Sequence, residues 1–135
     1  MAANTQPVFG LTPNVNAKNT STTSNANLTG NALSNGTGTI ITAGANGTKI
    51  NEVSVVATGT SLVGTVNLFL VDGSANWWLL DQVAISAQTL TTGTVQIPWS
   101  KVYDIIIPSG WTVNATQTCA GTQIACTVTV FAEDF

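Results

Sequence analysis

From Thr37 onwards, short apolar stretches are separated by residues that favour turns. In Thr65–Val71, for example, Val66, Leu68 and Leu70 alternate with other side chains, which is the two-residue period of a strand with one face in a core. A sustained helical period is missing from every window of the sequence. The pattern predicts strands at Thr39–Ala43, Lys49–Ala57, Thr65–Val71, Trp78–Ile85, Thr92–Trp99, Tyr103–Ile107, Trp111–Thr118 and Ile124–Phe131.

Turn-forming dipeptides mark several of the connections between these strands. Asn46-Gly47 and Asp72-Gly73 adopt positive φ at low cost, and Ser109-Gly110 and Gly121-Thr122 serve similarly. About eight short antiparallel strands in roughly 100 residues predict an all-β sandwich, either a jelly roll or an immunoglobulin-like fold. The order of the strands does not follow from the pattern.

Residues 1–36 differ from the rest, because their few large apolar side chains are scattered among Asn, Thr, Ser and Ala. Such a stretch cannot form a core of its own. Pro7 and Pro13 enclose a segment with Phe9 and Leu11, and proline at both ends favours an extended path over a helix. We therefore expect an extended polar N-terminal arm over 1–36 and a β-sandwich domain over 37–135. The arm either lies on a neighbouring subunit, burying Phe9 and Leu11 there, or is a disordered terminus.

The charge of the chain limits its partners. Its 135 residues, enough for one domain, include three Lys+Arg and six Asp+Glu, so only 7% are charged. Three cations cannot neutralise many phosphates, and nucleic acid is not expected as a partner. The apolar runs are too short for a membrane helix, and the first residues lack a targeting pattern, so we expect no membrane and synthesis in the host cytoplasm. Weak repulsion between neighbouring molecules suits a protein that lives inside an assembly.

Groups for catalysis are sparse. The sequence has no His, so general acid–base catalysis at neutral pH loses its usual group and metal sites built on His are excluded. Nothing marks two of the six carboxylates as partners across a cleft, and no Ser-x-x-Lys spacing occurs. We predict a protein that is not an enzyme and has no catalytic residues, no metal and no cofactor.

The two cysteines, Cys119 and Cys126, flank six residues that include a turn signal. A hairpin centred on Thr122-Gln123 would set them opposite each other, at a spacing that permits a cross-strand disulfide. The alternative is a pair of buried free thiols that pack as small hydrophobes, which cytoplasmic synthesis favours.

Trp77 and Trp78 are adjacent in a predicted strand. Neighbours on a strand point to opposite faces, so one ring leaves the core unless a bulge or turn re-aims it. An outward ring finds its contacts in the domain's own packing, in a protein interface or against a sugar ring. Together with Phe9 and Leu11, these two tryptophans are the candidate interface residues.

Four stretches resemble small β-sandwich proteins of tailed bacteriophages that are found with capsid proteins and decorate or cement the head. They are Thr42–Ile50 (TAGANGTKI), Val53–Thr60 (VSVVATGT), Leu68–Ser74 (LFLVDGS) and Ile107–Thr116 (IPSGWTVNAT). The last looks like the family's penultimate strand, entered through an apolar-Pro-x-Gly turn.

This resemblance implies a structural capsid decoration or cement protein that binds the major capsid protein on the head exterior and stabilises the shell. It implies a location on the capsid surface of the virion and a homo-oligomer, trimer or dimer. The alternative is a glycan- or receptor-binding β-sandwich module of a phage fibre or adhesin, in which the tryptophans stack on sugars.

Overall fold

The computed structural model of the chain describes residues 12–28, 37–60, 63–89, 91, 93, 97–118 and 126–135. The regular structure of these residues is entirely β. In chain order the strands are β1 (Thr12–Asn19), β2 (Ile41–Thr42), β3 (Thr48–Ala57), β4 (Gly64–Val71), β5 (Trp77–Ile85), β6 (Trp99–Ile107), β7 (Thr112–Gln117) and β8 (Cys126–Asp134). A helix able to cross a membrane does not occur in the described ranges.

The eight strands form two four-stranded sheets. Sheet A has the order β1-β8-β3-β6 and sheet B the order β2-β7-β4-β5, and every pairing is antiparallel. β1 pairs with β8, β2 with β7, β3 with β6 and β4 with β5, so the chain follows one long hairpin whose tip is the β4–β5 turn. A long hairpin rolled into two packed sheets is a jelly roll. The predicted antiparallel β-sandwich is confirmed, and the topology selects the jelly roll from the two alternatives.

The core lies between the two sheets and follows the alternation of the sequence. Val53 and Val55 of β3 face Val66 and Leu68 of β4 across it, each with 1% exposure or less. The register shifts between Ile50 and Glu52: β3 has one extra residue relative to β8, and β6 has one extra residue relative to β3. Burial of a Val or Leu side chain contributes about 1.5–3 kcal/mol, so this apolar layer is the main stabilising element of the sandwich.

Most strands appear where the alternation predicts them, with ends shifted by a few residues. The prediction of a strand at Thr92–Trp99 is wrong for its last part: Ile97 and Pro98 precede the sheet, and Trp99 begins β6 instead. Residues 92 and 94–96 lie outside the described residues. β6 runs unbroken from Trp99 to Ile107, because Ser100 and Lys101, which look like a break in sequence, occupy an edge strand.

β1 falls inside the segment expected to be an arm. Its eight residues are extended, as predicted, and all of them pair with β8 of the same chain. The Asn14 and Asn16 side chains donate to the carbonyls of Thr42 (3.1 Å) and Ile40 (2.8 Å), which joins the β1 and β2 edges of the two sheets. β1 is therefore an edge strand of this chain's own sandwich. The division at residue 36 remains a prediction.

Two of the four predicted turn signals show the expected backbone. Gly47 has φ 96° and Gly110 has φ 78°. In the β4–β5 turn the positive φ falls on Ala75, at 62°, and not on Gly73, because the loop is five residues long and closes differently from a tight two-residue turn. Gly121-Thr122 lies outside the described residues.

Candidate protein interface

The β4–β5 tip is organised around the carboxylate of Asp72. Its Oδ1 accepts hydrogen bonds from the backbone N–H of Ser74 (2.8 Å) and of Asn76 (3.0 Å). Its Oδ2 accepts from the Asn76 side chain (3.0 Å) and from the indole Nε1 of Trp78 (3.2 Å). These donors, the Asn76 side chain first, lower the pKa of Asp72 to about 2. Asp72 thus stays ionised at neutral pH and holds the loop and the Trp78 ring together.

The two adjacent tryptophans lie on opposite sides of β5. Trp77 is in register with Val71, on the outer face of sheet B, and packs edge-on against Phe69 with ring centroids 5.5 Å apart. Trp78 is in register with Leu70, and its side chain is 56% exposed. Neither ring belongs to the core between the sheets. We call Trp77, Trp78 and the 40% exposed Leu79 the tryptophan edge.

The tryptophan edge has the properties of a protein contact. Trp78 is an exposed ring whose position is fixed in advance by Asp72, and a side chain held in place loses less entropy on binding. Tryptophan is enriched among residues that dominate binding energy. Among the described residues, β5 pairs only with β4, so its other edge presents backbone groups that a strand of a partner can meet.

The outer face of sheet A carries a second apolar surface. Val15, Phe131, Glu52 and Val102 are directly opposite one another on four neighbouring strands and form one row across the sheet. The three apolar members are exposed by 39% (Phe131) to 73% (Val102). Val15 and Phe131 are direct neighbours and Val102 lies beyond Glu52, so exposed apolar side chains are grouped on one face, as they are at interaction sites of soluble proteins.

A charged row lies beside the apolar row. Pro13, Glu133, Lys49 and Ile106 are in register across the same four strands, and Ile106 is 64% exposed. Lys49 Nζ lies 2.7 Å from the carboxylate of Asp104, and this contact raises the pKa of Lys49. The face therefore combines apolar side chains with one cation and neighbouring carboxylates.

The outer face of sheet B is different in character. The Gln82 side chain donates to Asn67 Oδ1 (3.0 Å), and Asn67 Nδ2 donates to Thr116 Oγ1 (3.3 Å). Asn67 and Thr116 are fully buried, so these polar groups satisfy one another within the chain. The outer face of sheet A therefore exposes apolar side chains on three of its four strands, whereas on the outer face of sheet B they lie on β5, at the tryptophan edge.

A third cluster joins the β5 and β6 edges. Asp81 Oδ2 accepts from Lys101 Nζ (2.6 Å) and from the Tyr103 hydroxyl (2.9 Å). The Lys101 bond lowers the pKa of Asp81, and burial together with Asp81 raises the pKa of Tyr103. Through Lys101 and Tyr103 the Asp81 carboxylate ties the β5 edge of sheet B to the β6 edge of sheet A. In the described ranges no three His, Cys, Asp or Glu side chains are grouped as metal ligands would be.

A cleft of about 310 Å³ opens where β5 ends and β6 begins. Ala57, Ile85, Ile97 and Trp99 contribute to its walls, and Gln88 adds a polar group. The lining is mostly apolar, with Ser86 and Gln88 as its polar side chains and no charged residue among those that line it, which gives it few groups for orienting a polar substrate.

The residues singled out from the sequence have three outcomes. Trp77 and Trp78 occupy consecutive positions on opposite sides of β5, and their role as an interface remains a prediction. Phe9 and Leu11 lie outside the described residues. Cys126 is buried in the core whereas Cys119 lies outside the described residues, so the choice between a disulfide and thiols also stays open. Alkylation without reductant, followed by mass spectrometry, distinguishes them.

Sequence reasoning missed the outer face of sheet A. One signal was present: in the run Ile105-Ile106-Ile107 consecutive side chains must point to opposite faces, so at least one isoleucine has to leave the core. In the structure Ile107 is buried and Ile106 is exposed.

No family model matches the sequence, and no curated protein matches it either. Among solved structures, a chain of the cyanophage Pam1 capsid asymmetric unit aligns with a TM-score of 0.40 and 17% identity, over 100% of this chain and 95% of that one. A chain of the IBDV viral particle aligns with a TM-score of 0.29 and 15% identity, over 99% of this chain and 39% of that one. Superpositions of this quality do not establish a function.

Proposed function

We propose that the protein is a structural component of a virus particle, a capsid decoration or cement protein that binds the major capsid protein on the head exterior as a homo-oligomer. The observation that carries this proposal is Trp78, an exposed ring fixed by Asp72 on an edge strand. The jelly roll is used by viral capsid domains and by lectins, so the fold is compatible with the proposal but does not select it. The capsid partner comes from the sequence resemblance.

The contacts of Asp72 favour a protein over a sugar as the partner of the tryptophan edge. Sugar-binding sites need polar groups that orient the hydroxyls beside the ring. A carboxylate offers about four lone-pair positions, and those of Asp72 already accept from Ser74, Asn76 and Trp78. A stacked sugar would therefore find the carboxylate next to the ring already occupied by donors of the loop.

A small contact is sufficient for binding to a shell, because the shell repeats its binding site many times. One exposed tryptophan with a flanking leucine is a modest binding surface, and a shell repeats its binding site many times. When an oligomer engages two sites at once, the second event is intramolecular, and the apparent affinity rises by about 10²–10⁴. A decoration protein of this kind stabilises the shell by linking neighbouring capsid subunits, without any chemical step.

Binding to heads tests the proposal. Purified heads that lack the protein are mixed with the wild-type chain, with Trp78→Ala or with Val63→Ala, and bound protein is measured after sedimentation. Val63 is the matched control, because it is a 74% exposed apolar residue just before β4, at the opposite end of that strand from the tip. We expect wild type and Val63→Ala to bind in stoichiometric amounts and to raise the temperature at which heads open. Trp78→Ala should bind at least tenfold more weakly.

Two results would contradict the proposal. One is a wild-type chain that fails to bind heads and leaves their thermal resistance unchanged. The other is binding to a glycan array that disappears in Trp78→Ala, which would assign the tryptophan edge to sugar recognition.

A further inference from the structure

We infer that the outer face of sheet A packs against the same face of a second copy of this chain, in a dimer whose two-fold axis runs parallel to the strands between β8 and β3. The inference specifies the homo-oligomer of the proposed function. Its test uses the purified chain alone, so it succeeds or fails separately from the binding to heads.

The charges of Glu133 and Lys49 determine where the two-fold axis of the dimer lies. A two-fold axis in the interface plane, parallel to the strands, places β8 over the partner's β3 and β1 over the partner's β6, with each row facing itself. Glu133 then lies opposite Lys49 of the second copy, and the same contact occurs twice. Axes perpendicular to the strands do not bring these two residues together. The operation thus gives Glu133 a cation in the second copy, while Lys49 also keeps its contact with Asp104 of its own chain.

The apolar side chains match under the same operation. Val15 on β1 lies opposite Val102 on β6 of the second copy, and Pro13 lies opposite Ile106. The sheet-to-sheet distance of about 10 Å is what such side chains fill in β-sandwiches. Val102 and Ile106, the two large exposed apolar residues of the edge strand β6, are therefore covered.

The area of this face indicates how tightly the dimer forms. Four strands about 4.8 Å apart and eight residues long at about 3.3 Å per residue cover roughly 500 Å² on each copy, or about 1,000 Å² in total. Specific interfaces start near that value, and the small ones are weak or transient. We expect a dissociation constant in the micromolar range, which suits a protein that gains its strength from many copies on a shell.

Glu52 gives the inference a distinctive signature. It lies in the centre of the apolar row and faces Phe131 of the second copy, so the dimer buries a carboxylate against a ring. Removing an uncompensated buried charge strengthens an interface, whereas removing an exposed one changes little. Glu52→Gln should therefore tighten the dimer.

Charge reversal tests the pairing, with the dissociation constant measured by analytical ultracentrifugation. Lys49→Glu and Glu133→Lys should each weaken the dimer by about tenfold or more, and the double variant should return it to within about threefold of wild type. Lys18→Glu is the matched control. It makes the same change in net charge, but Lys18 is in register with the buried Val128 and so points away from this face. The control should dimerise like wild type.

Thermal unfolding of each variant checks that the fold is kept, which we expect because these residues are surface-accessible. Val102→Asp is a second probe, since it places a charge in the apolar row and should abolish the dimer. A wild-type chain that stays monomeric at millimolar concentration, a trimer, or a double variant as weak as the single ones would overturn the inference. None of these results would affect the role proposed for Trp78.

Discussion

A single added methyl group at Gly44 tests how the turn between β2 and β3 is held. A Cβ at this position would lie 2.9 Å from Cγ and 3.1 Å from Cβ of Asp134. The Asp134 carboxylate accepts from Asn14 Nδ2 (2.9 Å) and from the Thr48 hydroxyl, and so joins β1, β3 and β8. Gly44→Ala forces that carboxylate out of its position. Both side-chain bonds are then lost.

The loss can be sized from these contacts. Hydrogen bonds to a charged group contribute about 1.5–3 kcal/mol each, and the partial exposure of Asp134 reduces both below that range. Together they give a destabilisation of about 2 kcal/mol. With an unfolding entropy near 2.1 cal/mol/K per residue, a chain of 135 residues loses about 7 °C in Tm.

Thermal unfolding followed by circular dichroism at pH 7 is the assay, and Gly73→Ala is the control. A Cβ at Gly73 meets nothing within 4 Å, and its φ is not positive, so we expect a change within about 0.5 kcal/mol. A Gly44→Ala variant that melts within about 2 °C of Gly73→Ala would refute the reasoning.

Acid provides a second readout of the same contact. The Thr48 and Asn14 bonds lower the pKa of Asp134 below its ordinary value of 3.8. A carboxylate whose pKa is lower in the folded than in the unfolded chain stabilises the fold fully at pH values above its unfolded-state pKa. This stabilisation is lost as the pH falls through the folded-state pKa. The difference between Gly44→Ala and wild type should therefore shrink as the pH falls below 3.8.

Two further predictions follow from the core and from the hairpin tip. Leu68→Ala, at a fully buried position, should lower the free energy of unfolding by about 2–5 kcal/mol, measured by chemical denaturation. Val102→Ala, at a position 73% exposed, should change the free energy of unfolding of the monomer little. Similar values for both variants would contradict the assignment of the core. Asp72→Asn should lower the Tm at pH 7. The difference in Tm from wild type should disappear as the pH falls from 3.8 toward 2, because the ionised Asp72 stabilises the fold only above its lowered pKa of about 2. A difference that is constant with pH would show that the charge of Asp72 does not hold the loop.

The interior strands were predictable because their burial alternates. β3 and β4 each have one face in the core, which leaves a two-residue period in the sequence, and their ends were placed within one residue. The sequence of β1 has no such two-residue period. Seven of its eight residues are exposed, so an edge strand held by main-chain bonds and two asparagine side chains looks like a polar linker.

The register between paired strands determines two features that the sequence did not reveal: which tryptophan faces outward from sheet B, and which residues form the apolar row of sheet A. The alternation placed Trp77 and Trp78 on opposite faces, but a bulge between Leu68 and Phe69 decides which ring joins Phe69 on the outer face of sheet B. In the row formed by Val15, Phe131 and Val102, Val15 lies more than 80 residues before the other two, and only the paired sheet shows that the three share a row.

The central claim is that this protein works by fitting against other proteins on a viral shell. The most direct test is electron cryo-microscopy of purified virus particles whose genome carries the gene for this chain, together with its copy number by quantitative mass spectrometry. The account predicts a jelly-roll density on the outer surface at a fixed ratio to the capsid protein, with the β4–β5 tip against the shell. Particles that are complete, equally heat-resistant and devoid of this chain would contradict it.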